Sequence, residues 1–221
     1  MFQLFKKNKA FFIPYLLFLL AGGLALALWN KTDIHLLINK YHNPQADLFF
    51  SNLTSLGLGI TIVPVLLILV FVRFRYIIIS LLGFVLTFTI NDTLKAILHT
   101  PRPITVFGDL HQTLYLVPKV EMFSWNGLPS GHTATAFCMF CLLAFYTKNN
   151  WLKIFYFVIA FLIGYSRMYL SEHFFQDVYL GSIVGVGSAL SAYSLVMKAP
   201  FFNRFAERLD KPLINLNGRK K

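Results

Sequence analysis

The chain is poor in charge. Only 13% of its 221 residues are charged, about half the share of an ordinary soluble domain. That shortage excludes a soluble enzyme and leaves no disordered tract. Acids are scarcest, with nine Asp and Glu against 20 Lys and Arg, and they are scattered, so no acidic cluster is available for a divalent metal. Cysteine is nearly absent. Cys138 and Cys141 are the only two, so a disulfide scaffold is excluded and no second pair completes a zinc site. Three residues apart in an apolar run, they read as small packing residues of a helix. Internal repeats and low-complexity stretches are also missing.

What is present is hydrophobicity, at 57% of residues. A bilayer core needs about 20 apolar residues per helix. Six stretches qualify, at roughly 11–29, 57–72, 76–98, 129–147, 151–170 and 175–197. They predict an all-α fold, a single polytopic membrane domain spanning 1–221 with six transmembrane helices. Trp29, Tyr76, Tyr146 and Trp151 fall near span ends, where aromatic anchors sit. The first stretch has a basic start and a small-residue Ala25-Leu26-Ala27, as a signal peptide does, but its apolar length favours a retained helix.

The net charge of +11 invites a nucleic-acid reading, and its distribution argues against one. Six spans put both termini on one side. That side gathers fourteen cations and two acids, Glu207 and Asp210, and includes a basic tail at 198–221; the other half holds six cations and seven acids. Cation-rich loops stay in the cytoplasm, so both termini are expected on the inner side of a cytoplasmic membrane. The tail mixes Phe201, Phe202, Phe205 and Leu209 with Arg204, Arg208 and Lys211. It reads either as an amphipathic helix on anionic lipid or as a solvated tail. Asn30-Lys31-Thr32 and Asn52-Leu53-Thr54 match a glycosylation pattern that is common by chance.

Polar residues near a membrane are costly and tend to be functional. Here they collect at the end of the third span (Lys95 through Arg102-Pro103), at the start of the fourth (Pro129-Ser130-Gly131-His132), and between the fifth and sixth (Ser166-Arg167, His173, Asp177). By parity all three places fall on the outer side. Lys95, Arg102 and Arg167 suit a phosphate ester, the guanidinium fork matching phosphate oxygens in pairs. Pro101 and Pro103 present Arg102 on a stiff turn. Ser130 is a natural N-cap, and with Gly131 it leaves free N–H groups and the helix dipole for an anion. His173 and Asp177 share a face if the sixth helix begins near Ser171, so Asp177 accepts one ring N–H and frees the other nitrogen as a nucleophile. His132 is placed as general acid. Taken singly, each residue also has a structural reading: a packed histidine, a snorkelling arginine. On residues alone both readings stand. His99 and His111 read as loop residues, and Asp92 as a structural partner of Lys95.

Together, Lys95-x6-Arg102-Pro103, Pro129-Ser130-Gly131-His132 and Ser166-Arg167-x5-His173-x3-Asp177 resemble the three-part motif of the type 2 phosphatidic acid phosphatase (PAP2) superfamily. That superfamily includes bacterial lipid phosphatases, glucose-6-phosphatase and vanadium haloperoxidases. The resemblance implies a helix bundle, phosphate binding by Lys95, Arg102, Ser130, Gly131 and Arg167, His173 as nucleophile, Asp177 as its orienter and His132 as acid, with no metal and no cofactor. The expected partners are membrane lipids and a lipid phosphate, not nucleic acid. Undecaprenyl diphosphate, phosphatidylglycerol phosphate, phosphatidic acid and the phosphates of lipid A are candidates, met at the outer face. A phosphotransferase using the same phosphohistidine remains open, as does an anion or lipid transporter. The loop 104–128 is expected to shape the choice of substrate.

Overall fold

A computed structural model describes residues 2–214. Its helices are α1 (Phe2–Lys7), α2 (Lys9–Leu28), α3 (Lys31–Asn39), α4 (Pro44–Leu53), α5 (Ile62–Val70), α6 (Phe74–Leu98), α7 (Pro103–Asp109), α8 (Gly131–Tyr146), α9 (Asn150–Tyr169), α10 (Phe175–Lys198), α11 (Pro200–Arg204) and α12 (Ala206–Leu209). Two 3-10 turns, Thr54–Gly57 and Gly59–Thr61, link α4 to α5. No strand forms among the described residues, so the all-α expectation holds. The last tail cations, Arg219, Lys220 and Lys221, lie outside them.

Four helices, α2, α6, α9 and α10, are long and apolar enough to cross a membrane. The other two expected spans differ in form. The helical part of 57–72 is a short limb, Gly59–Val70, which meets the preceding limb, Pro44–Gly57, at a bend of 66°. Asn43 starts the first limb by accepting from the Ala46 N–H at 2.9 Å. Gly57 lies where this limb meets α8 and α9: a Cβ there would stand 2.8 Å from Ile163 Cγ2 of α9 and 3.0 Å from His132 Cβ of α8. The expected fourth span is the 16-residue α8, short for a bilayer. Eleven of its residues are buried, from Thr133 to Ala144. A helix enclosed by α6, α9 and α10 meets protein rather than lipid, so it need not match the bilayer's thickness.

Glycine sets how closely α10 approaches α8. A Cβ on Gly185 would run into the carbonyl of Ala134 and stand 2.9 Å from Cys138 N. Small residues let backbones meet where no hydrophobic drive separates helix from lipid. Cys138 and Cys141 are free and fully buried, and Cys138 Sγ would lie 3.3 Å from a Cβ on Gly83 of α6, which fits the packing role expected of them. α2 is built into the same core, Phe18 meeting the rings of Phe137, Phe161 and Phe175.

Of the expected anchors, Trp29 and Trp151 are exposed. Tyr76 and Tyr146 instead stack on each other, centroids 4.0 Å apart. Part of the tail docks rather than floats: Leu209 is buried, and Asp210 accepts from Arg75 Nε at 2.8 Å.

Candidate active site

Helix α6 stops at His99, whose left-handed backbone (φ 37°) lets its N–H reach the Lys95 carbonyl at 3.0 Å. Its ring stacks on Trp125 at 5.0 Å, which is a structural task. Three residues on, Arg102 is held from every side. Its backbone N–H donates to Ser124 O at 2.9 Å and its Nε to Trp125 O at 3.0 Å, and its guanidinium lies 5.2 Å from the centre of the Phe123 ring. The loop that carries Ser124 and Trp125 therefore fixes Arg102 directly. Lys95 and Asp92 both line the cleft described below; Asp92 attracts Lys95 through space without forming an ion pair.

Ser130 caps α8. Its Oγ accepts from Thr133 Oγ1 at 2.9 Å, and its N–H donates to Asp177 O at 2.9 Å, tying the starts of α8 and α10 together. Ser130 is fully buried and lies behind the cleft wall, whereas Gly131 and His132 are in it.

The turn after α9 corrects one expectation. Ser171 does not begin the next helix. Its φ of 57° closes α9, with the Glu172 N–H returning to Arg167 O at 3.0 Å, and its hydroxyl is engaged by Asn39 at 3.1 Å. Helix α10 starts at Phe175, so His173 precedes it. The pairing survives through the helix cap. Asp177, in the first turn, accepts the Phe174 N–H at 3.0 Å with the same Oδ2 that meets His173 Nδ1 at 3.3 Å. Nε2 is the nitrogen that Asp177 does not take. Burial pushes the His173 imidazole well below its usual value, and the charges of Arg102 and Arg167 push the same way.

These groups converge on one cleft of about 270 Å³ lined by Lys95, Arg102, Gly131, His132, Arg167 and His173, with Phe88 and Phe123 on its apolar side. The three sequence clusters thus meet, as parity predicts. Two buried atoms in this region have no partner: Arg167 Nε and Asn91 Oδ1. A buried, unpaired guanidinium N–H is costly and suits an anion. Among the described residues no group of three His, Cys, Asp or Glu comes together to hold a metal.

Two residues of the site escape sequence reading. Glu172 accepts from Arg102 Nη1 at 2.5 Å and meets Arg167 Nη2 at 3.2 Å; by sequence it is one scattered acid. Thr54 Oγ1 accepts from Arg167 Nη1 at 2.7 Å across 113 residues of chain; by sequence it merely completes a glycosylation pattern. Thr54→Val is expected to strand that guanidinium donor and lower kcat/KM for phosphate release about tenfold, given roughly 1–3 kcal/mol for an unmet buried group. Unchanged kinetics would mean Arg167 is held without it.

The family model that matches this chain is that of the PAP2 superfamily, over residues 75–201, more than half of the sequence. The chain belongs to the PAP2 superfamily. This PAP2 protein is 31% identical over 114 residues to the bacitracin transport permease protein BcrC of Bacillus licheniformis, covering 48% of its own length and 55% of the relative's. The match therefore spans about half of that relative. It is 26% identical over 161 residues to a lipid A 4'-phosphatase of Bacteroides thetaiotaomicron, covering 70% and 71% of the two chains. In fold it resembles the crystal structure of a transmembrane PAP2-type phosphatidylglycerolphosphate phosphatase from Bacillus subtilis, with a TM-score of 0.64 at 23% identity, over 89% of this chain and 98% of the other. With four to five candidate apolar spans among the described residues, the PAP2 chain is an integral membrane protein.

Proposed function

We propose that this PAP2 protein is a membrane-bound, metal-independent lipid phosphatase that hydrolyses a phosphate monoester or diphosphate head group through a phosphohistidine. The observation that carries this reading is the His173–Asp177 pair, 3.3 Å apart, in a cleft rimmed by His132, Lys95, Arg102 and Arg167. His173 Nε2 attacks phosphorus, forming an N–P bond while the ester P–O bond breaks. Asp177 stabilises the resulting imidazolium, and His132 gives its proton to the leaving oxygen. Water then attacks the phosphohistidine, His132 takes its proton, and phosphate departs. Lys95, Arg102 and Arg167, with the free N–H groups at the start of α8, neutralise the charge that a metal carries elsewhere.

The cation asymmetry supports a six-pass topology in which the bent pair and α8 count as passes, both termini are cytoplasmic, and the cleft faces outward at head-group depth. The apolar side of the cleft suits an anchored substrate. Undecaprenyl diphosphate, phosphatidylglycerol phosphate, phosphatidic acid and lipid A phosphates are the candidates, and the name of the Bacteroides relative favours including the last. Hydrolysis is favoured over transport because the core is packed with Ile79, Phe137, Cys138 and Leu142, leaving the charged groups at one end. Transfer to a lipid hydroxyl instead of water is distinguished by following the phosphoryl group.

The decisive assay is phosphate release from a panel of purified lipid phosphates in detergent. Release is expected to survive EDTA and to be inhibited by orthovanadate, a mimic of five-coordinate phosphorus. A strict need for magnesium would overturn the histidine mechanism.

A further inference from the structure

Glu172 has an uncommon position for a carboxylate. Its side chain is 3% exposed, and one oxygen, Oε2, meets both arginines of the cleft, Arg102 Nη1 at 2.5 Å and Arg167 Nη2 at 3.2 Å. A charge buried this deeply is tolerated only when paired, and the two guanidiniums, themselves buried, would repel each other without it. The remaining bonds complete the restraint. Arg102 gives Nε to Trp125 O, and Arg167 gives Nη1 to Thr54. Each arginine is left with one uncommitted nitrogen, Nη2 on Arg102 and the buried Nε on Arg167. When an anion enters, the same carboxylate becomes a like charge beside it.

We infer that Glu172 is a positioning residue that holds Arg102 and Arg167 in place for the phosphate and tempers their grip, so that inorganic phosphate is released after hydrolysis. This rests on the reading of the cleft as a phosphate site. The two parts predict opposite changes for two conservative variants. Glu172→Gln keeps an oxygen acceptor of the same reach and removes the charge. Glu172→Asp keeps the charge and shortens the reach.

The test measures orthovanadate and inorganic phosphate as inhibitors of the purified protein and of both variants. E172Q is expected to bind both anions more tightly, by about tenfold or more, because a like charge several ångströms away at an effective dielectric of about 20 repels by more than the equivalent of a factor of ten. E172D is expected to bind them several-fold more weakly. A residue that only supports the fold can weaken binding when altered but not strengthen it, so the sign in E172Q is the informative readout. If E172Q does not fold, an unchanged inhibition constant in E172D overturns the inference. Wild-type protein that neither anion inhibits removes the phosphate reading and this role together. Wild-type protein that is inhibited, with E172Q equal or weaker, overturns this role alone.

Discussion

His173→Ala is expected to abolish phosphate release, with a loss on the order of 10⁴-fold or more, as when a nucleophile that works as a unit with its base and orienter is removed. The variant should still bind orthovanadate weakly through Lys95, Arg102 and Arg167, because none of their side-chain hydrogen bonds runs through His173 and the His173 N–H bond to Arg167 O survives in alanine. Normal turnover in this variant would sink the nucleophile assignment. His132→Ala separates the steps. A leaving group that needs no proton, such as a nitrophenolate, should retain much of its first-step rate, while an alkyl phosphate loses about 10²–10⁴-fold. The acidity of His173 sets the pH profile. Only the neutral ring attacks. Burial holds its pKa well below the ordinary 6.5, so the neutral form persists as pH falls. The acid limb of kcat/KM attributable to His173 is expected below pH 6.5, where the free protein's groups are reported.

Gly185→Ala is expected to destabilise the protein by about 1–3 kcal/mol or more, the range for forcing extra volume into a packed core. The added Cβ meets the Ala134 carbonyl and Cys138 N of α8. Both are backbone, so no side chain can move aside and the helices must part. The site should suffer with the fold, because the first turn of α8 carries His132 and that of α10 carries Asp177, the two starts being joined by the Ser130 N–H on Asp177 O at 2.9 Å. Gly187 supplies the control. It lies on the same helix, and a Cβ there meets nothing within 4 Å. Gly187→Ala should leave the unfolding temperature in detergent unchanged or slightly raised, while G185A lowers it by several degrees. Equal behaviour of the two would show that the α8–α10 approach does not depend on glycine.

Much of the cleft is readable in the chain because its chemistry sits at span ends. An arginine between two prolines, a Ser-Gly-His after a proline and a histidine four before an aspartate are local patterns, and the structure brings Lys95, Arg102, Gly131, His132, Arg167 and His173 into one wall. The reading failed where a residue's task depends on a distant partner. Ser171 looks like a helix cap until its left-handed backbone is seen closing α9. Glu172 looks like a stray acid until two arginines, one from the turn before α7 and one from α9, close on it.

The sequence by itself determined that this is a membrane chain, that it is all-helical, that its cations far outnumber its acids and that three short polar motifs stand out from the apolar runs. Apolar length, charge and short motifs are properties of neighbouring residues, and no folding is needed to count them. Only the tertiary structure decided that the second apolar run is a short limb joined to the preceding helix at a bend after Gly57, that α8 can be short because protein encloses it, and that Glu172 and Thr54 hold the arginines. Those facts arise from contacts made across the bundle, where packing distance and burial, not local spacing, choose the partner.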